Sequence, residues 1–348
     1  MKIALITDTH WGCRGDSPVF ARRIAKFYAE QFFPYIDKHE IKTIIHLGDI
    51  LDRRKYVNFN TLAEVRKRFI EWFETNEIEL HCILGNHDTF FKNTNQVNSI
   101  RELFSDKYKS IHLYEEPTLL EFDDLKIAMV PWINKENEQQ FQTFIKSCPA
   151  SIICGHFELN GYEVIQGINF EGGMEDKIFS CYDMVLSGHF HGKNSKKNVH
   201  YLGTQYQITF SDARLVKGFH VLDTETRELQ FIENPDKIYH VIVYNDSNVY
   251  NDPLGDDFSY YKNSYVKVLV AKKTNPAKFD MWVDRMVQAG VLSLNIVEEM
   301  LETTEDKIDV AQDTMSIINE EIDKLEISED KGKLKTLIHE LYIESLST

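Results

Sequence analysis

Short apolar runs recur through the first two-thirds of the chain, and each ends abruptly at a glycine or a cluster of polar residues. They read KIALIT from Lys2, TIIHLG from Thr43, LHCILG from Leu80, KIAMVPW from Lys126, SIICGH from Ser151, MVLSGH from Met184 and VHYLG from Val199. Runs this short and apolar on both faces are what strands covered on each side require. Helical patterns separate the first three. One opens at Asp16-Ser17-Pro18, a cap followed by proline at the first helical position, and turns Phe20, Ile24, Phe27 and Ile36 inward. The next carries Leu62, Val65, Phe69, Trp72 and Phe73. This alternation predicts an α/β layered domain over residues 1–233, with β-sheets flanked by helices.

The pattern changes at NPDKIYH, which begins at Asn234. HVIVYND and YVKVLVA alternate as half-exposed strands do, a helix over 276–289 turns Phe279, Trp282, Val283 and Met286 to one side, and VLSLNIV reads as a further strand. Residues 234–300 are therefore expected to form a small α+β module. The tail, 301–348, reads as helical. Ile308, Ala311, Met315, Ile318, Ile322 and Leu325 alternate spacings of three and four, the seam of a coiled coil. A second helix is expected after Ser328-Glu329-Asp330, carrying Leu334, Leu337, Ile338, Leu341 and Leu346.

Composition narrows the class. At 348 residues with 43% hydrophobic and 12% aromatic side chains, the chain can bury a sizeable core. It contains no apolar run of membrane-spanning length, and its first ten residues read as a strand, not a signal peptide. Cys13, Cys82, Cys148, Cys154 and Cys181 are odd in number and include no C-x-x-C pair, which suits reduced thiols in a cytoplasm and argues against a disulfide framework or a structural zinc. The net charge of −16 argues at first against a nucleic-acid partner. Residues 298–348, however, hold 15 acidic side chains against five lysines, so most of the excess lies in the tail. Bound cations would reduce the rest further.

The ends of the strands carry the chemistry. They present Asp8 and His10, then Asp49 and Asp52, then Asn86, His87 and Asp88, then His156, then His189 and His191. Functional groups in open α/β sheets gather beyond the carboxyl ends of the strands. Asp-x-His and His-x-His put two side chains on the same side of an extended segment. Oxygen and imidazole donors without thiolate suit manganese, iron or zinc better than calcium. So many donors exceed one ion's coordination and suit two ions sharing a bridging carboxylate. Such a pair polarises a phosphoryl oxygen and supplies hydroxide at neutral pH.

The blocks D-x-H (Asp8, His10), G-D-x-x-D-R (Gly48 to Arg53), G-N-H-D (Gly85 to Asp88), G-H (Gly155, His156) and G-H-F-H (Gly188 to His191) occur in order across residues 8–191. In this the chain resembles the calcineurin-like metallophosphoesterase superfamily. The resemblance implies that one ion takes Asp8, His10 and His191, the other Asn86, His156 and His189, and that Asp49 bridges them. It places His87 outside the metal shell, as the general acid that protonates the leaving oxygen while a metal-bound hydroxide attacks phosphorus. Asp52 would orient His87, and Arg53 would hold a phosphate oxygen with help from Arg54 and Lys55.

Within the superfamily the architecture, Pro131-Trp132, the E-L-N-G after Phe157, and aspartate at position 52 are similar to the nuclease subunits of recombination and repair complexes, the SbcD type and its T-even phage counterparts. That likeness implies a manganese-dependent DNA exo- and endonuclease, with magnesium as the alternative ion, acting in DNA repair, recombination and replication. It also implies a homodimer, a DNA-binding cap at 234–300, and a tail at 301–348 that binds a coiled-coil ABC-type ATPase. The setting would be cytoplasmic, that of a bacterial host if the gene is a phage's. Rival readings are a protein or small-molecule phosphatase, a cyclic-nucleotide phosphodiesterase, and a scaffold that has lost catalysis.

Other residues receive plainer readings. His46 and His81 lie inside strands and are expected in the core. Asp88 is either a group behind the ligands or a turn residue. Lys193, Lys196 and Lys197, directly after the last donors, are candidate DNA contacts or a solvated loop.

Overall fold

The structure is a computed structural model and describes residues 1–165, 167–247, 255 and 257–298, with 322, 331, 334, 335 and 338. The rest of the tail lies outside the described residues, as do all of its seam positions but Ile322. The chain forms two compact units: among the described residues, one contains Met1–Ile208, Val216–Pro235 and 322, 331, 334, 335 and 338, and the other contains Thr209–Leu215 and 236–298.

The first unit is built on two six-stranded sheets. Its strands are β1 (Lys2–Ile6), β2 (Thr43–His46), β3 (Glu79–Ile83), β4 (Ile111–Tyr114), β5 (Thr118–Phe122), β6 (Leu125–Val130), β7 (Ile152–Gly155), β8 (Glu163–Ile165), β9 (Ile168–Asn169), β10 (Met184–Ser187), β11 (Asn194–Lys196), β12 (Val199–Tyr201), β13 (Lys217–Asp223) and β14 (Leu229–Asn234). One sheet has the order β14-β13-β1-β2-β3-β4 and the other β11-β12-β10-β7-β6-β5, while β8 and β9 form a separate hairpin. β1 to β4 are mutually parallel, as are β6, β7, β10 and β12; antiparallel β13, β14, β5 and β11 complete the edges.

Layering explains the unbroken apolar runs. Ile3, Leu5, Ile45, Leu47 and Ile83 of the first sheet pack with Ile127, Met129, Ile152, Cys154 and Leu186 of the second. Their alternating neighbours face outward under helices: Ala128, Val130, Ile153 and Val185 pack with Phe141 and Ile145 of the helix Glu138–Ser147. Burying each such aliphatic side chain contributes about 1.5–3 kcal/mol. On the first sheet's far side, Pro18–Phe27 continues through a π-helical turn, Tyr28–Phe32, into Phe33–Lys38. Phe20, Ile24, Phe27 and Ile36 are all buried, and Phe33 stacks on Trp72. The expected cap differs. Ser17 makes no side-chain capping bond, and the Asp16 carboxylate instead binds Arg53 Nη1 and Thr61 Oγ1, each at 2.7 Å.

The second unit contains a three-stranded parallel sheet of β15 (Tyr239–Asn245), β16 (Tyr265–Lys272) and β17 (Ser293–Val297). The helix Pro276–Gln288, capped by the Asn275 side chain, packs Phe279, Trp282 and Met286 against Tyr244, Val266, Val268 and Val270. Among the described residues no helix is long and apolar enough to cross a membrane.

Candidate metal centre

The loops after β1, β2, β3, β7 and β10 converge, and hydrogen bonds between them fix their relative heights. Asp8 N donates to Gly48 O, His10 N to Asp49 O and Trp11 N to Ile50 O, so the loops after β1 and β2 run zipped together beyond the sheet. Gly188 N donates to Gly155 O across the second sheet. Asp88 ties a further pair, its buried carboxylate accepting from the main-chain nitrogens of Asp49 (2.6 Å), Ile50 (3.0 Å) and Gly85 (2.9 Å). Of the two readings of Asp88, this geometry places it behind the donors as a brace.

Close approach demands glycine at two of these turns. A Cβ on Gly85 would lie 2.1 Å from Asp49 Oδ1, and one on Gly48, at φ +95°, would lie 2.5 Å from Gly85 N. The donors themselves adopt unusual backbone. Asp8 (φ 50°), His10 (42°), Asp49 (60°) and His189 (85°) are all left-handed. Each such residue costs about 1–3 kcal/mol and persists where its surroundings over-determine it, most often at functional sites.

All seven expected donors come together. His10 Nε2 lies 3.1 Å from His191 Nε2, 3.9 Å from Asp8 Oδ1 and 3.8 Å from Asp49 Oδ2. His156 Nε2 lies 3.4 Å from the same Asp49 oxygen and 3.0 Å from Asn86 Oδ1, which is itself 3.0 Å from His189 Nδ1. Asp49 Oδ2 thus stands between two donor groups. Asp8, His10 and His191 form one set and Asp8, Asp49 and His156 another, each with ligand atoms within 4.8 Å. Donors spaced so closely can each reach a common centre at the ~2.0–2.2 Å that oxygen and imidazole nitrogen keep from divalent transition ions. The residues fit a pair of cations.

The outer atoms of the imidazoles are held as well. His156 Nδ1 is 2.7 Å from Leu47 O, which makes Nε2 the inward lone pair. His87 Nδ1 lies 2.5 Å from the Asp52 carbonyl oxygen, and its main-chain nitrogen donates to Asp49 Oδ1 at 2.7 Å. Asp52 faces two histidines with different groups. Its carboxylate lies 3.2 Å from His10 Nδ1, and it is the carbonyl, not the carboxylate, that meets His87, because the loop turns the side chain toward the segment after β1. Arg53 is engaged by Asp16, and its guanidinium lies 5.0 Å from the Tyr56 ring, so a phosphate would have to compete with a partly buried ion pair.

Charge follows this geometry. Burial pulls the His10 and His156 imidazoles down, but the surrounding carboxylates, above all Asp52 with Asp49 for His10 and Asp49 for His156, win and raise both to about 9. Burial dominates at His87 and lowers it, and burial with the His10 charge holds His191 well below its usual range. Burial pushes the Asp49 carboxyl up, but the charges of His156 and His87 outweigh it and hold the group well below the usual range. The cluster is thus a buried, densely charged cradle poised to exchange protons for cations.

Other expectations fare variously. His46 is buried beside Thr9, its Nδ1 accepting from Gly48 N, and His81 meets Tyr114 Oη at 2.7 Å; both are packing residues. Lys193 lies over Phe231, Lys196 over Tyr162, and Lys197 pairs with Asp176 at 2.8 Å. Lys55 is exposed, and Arg54 lies near Glu158. Glu158 is a residue that sequence reasoning passes over: Oε1 lies 3.0 Å from His189 Nε2. Its His-x-Glu spacing from His156 is the available signal.

A layered α/β fold with this donor set at its strand ends defines a metal-dependent phosphoesterase. Residues 1–193 match the calcineurin-like phosphoesterase family, and the chain belongs to it. It is 30% identical over 350 residues to exonuclease subunit 1 of Enterobacteria phage T4, covering 99% of each chain. It is also 24% identical over 230 residues to the SbcD component of the nuclease SbcCD of Staphylococcus epidermidis, covering 59% of this chain and 61% of that one.

Proposed function

We propose that this phosphoesterase is a DNA nuclease, cleaving phosphodiester bonds with two divalent cations, manganese in preference to magnesium. The observation that carries the reading is the placement of His87 beside the seven donors, its ring 4.9 Å from that of His10, with Nδ1 turned to the Asp52 carbonyl and not to them. The full-length likeness to an exonuclease subunit supports DNA as the substrate.

In this reading Asp8, His10 and His191 would hold one ion, Asn86, His156 and His189 the other, and Asp49 would serve both. Cations there supply Lewis acidity toward the phosphoryl oxygens and a hydroxide nucleophile at neutral pH. The chain supplies the rest. Asp88 and the left-handed turns keep the donors in place before substrate arrives. His87, with Nδ1–H donated to Asp52 O, turns Nε2 to the leaving 3′- or 5′-oxygen and protonates it from its imidazolium form, which burial makes a strong acid. The second unit serves as a cap that holds DNA, the working form is a homodimer, and residues 301–348 bind a coiled-coil ABC-type ATPase.

The test offers purified protein an end-labelled DNA duplex and a chromogenic phosphomonoester in parallel, with manganese, magnesium or chelator. Manganese-dependent shortening of DNA is expected. Phosphomonoester turnover with intact DNA would instead make the enzyme a phosphatase.

A further inference from the structure

We propose that Glu158 is a positioning residue of the metal centre, holding the outer nitrogen of His189 so that the inner one is aimed at the site shared with Asn86 and His156. The proposal rests on the two-cation reading above and concerns which groups outside the donor set sustain it.

Two other imidazoles of the site have an oxygen facing their outer nitrogen. His156 points Nε2 inward and backs Nδ1 onto the Leu47 carbonyl, and His10 points Nε2 inward with Nδ1 facing Asp52. His189 is reversed. Its Nδ1 is the inward atom, 3.0 Å from Asn86 Oδ1, and the outward atom is Nε2. The outward nitrogen lies at the far tip of the ring, so it needs an acceptor from another loop. Glu158 Oε1 stands 3.0 Å from it. A carboxylate there fixes the tautomer with the proton outward and the lone pair inward, and makes the imidazole a better donor to a cation.

Glu158 is itself well anchored. Phe157 N donates to Ser187 Oγ at 3.0 Å, Leu159 N donates to Tyr201 Oη at 3.1 Å, and Glu158 O accepts from Met174 N at 2.9 Å. The neighbouring turn is built around that carbonyl: a Cβ on Gly173 would lie 2.4 Å from Glu158 O. The main chain on both sides of Glu158 is therefore locked, and only its side chain is left to span to His189. That side chain is 38% exposed against 4% for Asp52, so it guards the rim of the site where Asp52 backs the interior.

The experiment titrates manganese into metal-free full-length wild type, Glu158→Gln and Glu158→Ala by calorimetry. Electron paramagnetic resonance of the coupled ion pair is recorded alongside, without substrate. Wild type is expected to bind two ions. Both variants should weaken one of them, by about 10–100-fold for alanine and less for glutamine, whose oxygen can still accept the proton. Melting of the metal-free protein should stay unchanged. Two ions held at wild-type affinity in both variants would overturn the proposal, whether accompanied by lower melting, which marks a packing residue, or by a raised KM for DNA, which marks a substrate contact. A wild type that binds no ion pair would instead defeat the underlying two-cation reading.

Discussion

His87 reaches Asp52 through the main chain: its Nδ1 lies 2.5 Å from the Asp52 carbonyl oxygen, while the Asp52 carboxylate turns to His10 Nδ1 at 3.2 Å. The two functions of this one residue are therefore separable. Asp52→Asn keeps the carbonyl and so the orientation of His87, but removes the charge facing His10. We expect manganese affinity to fall by about tenfold at the ion that His10 serves. The dependence of rate on leaving-group pKa should stay as in wild type. Calorimetry and a series of aryl phosphodiesters check both halves; a changed leaving-group dependence with intact metal binding would return the carboxylate to His87.

His87→Ala tests the acid directly. The side chain turns Nδ1 to the Asp52 carbonyl and not to the donors, so both ions should bind with unchanged affinity. Loss of general acid catalysis typically costs about a hundred- to ten-thousand-fold in rate. That loss should be seen with DNA, whose alkoxide leaving group needs a proton, and should shrink with bis(p-nitrophenyl) phosphate, whose leaving group does not. Equal losses with both substrates, or loss of metal, would exclude His87 as the acid.

Much of this site is legible in the sequence because its logic is local. A strand that runs into Asp-x-His, or stops at glycine and then offers Asn-His or His-x-His, declares both its burial and its cargo, and the five blocks preserve their order. What crosses between loops is not legible. Nothing in the spacing of Asp52 and His87 tells that the bond uses a carbonyl, or that Asp16 will leave its helix to hold Arg53. Edge strands give less warning still. IHLY of β4 and TLLEF of β5 are short, mostly half-exposed and separated by a brief turn, so their apolar signal is weak. The second sheet is completed by pairings that no single segment announces, since β5 and β11 join it only through their neighbours.

Asp88 should matter for stability more than its position beside the catalytic histidine suggests. Its carboxylate satisfies three buried main-chain donors, from Asp49, Ile50 and Gly85. Asp88→Ala leaves them unpaired, and each unsatisfied buried donor costs about 1–3 kcal/mol. Partial relaxation and water entry reduce the sum, so we expect about 2–4 kcal/mol of lost stability in urea unfolding of the metal-free protein. Metal binding should weaken in parallel, since the loop carrying Asp49 loses its brace. A variant as stable as wild type would show that the loops are held by other contacts.

Proton release should accompany metal binding, with a defined pH dependence. In the metal-free site the carboxylates overcome burial and raise His10 and His156 to about 9, so near pH 7.5 both imidazoles carry a proton on a nitrogen that a cation needs. Binding must displace those protons, which makes affinity rise with pH up to about 9 and level off above it. Calorimetry in buffers of different ionisation enthalpy should report about two more protons released as both ions bind at a pH of about 7.5 than at a pH of about 10.5, any proton lost by water on the cations being common to both. Asp49 remains charged throughout, since its neighbours' charges hold it well below the usual range, and contributes no proton of its own. If the released-proton count were the same at both pH values, the carboxylates would not be holding protons on these two histidines, and the charged cradle would have to be neutralised another way.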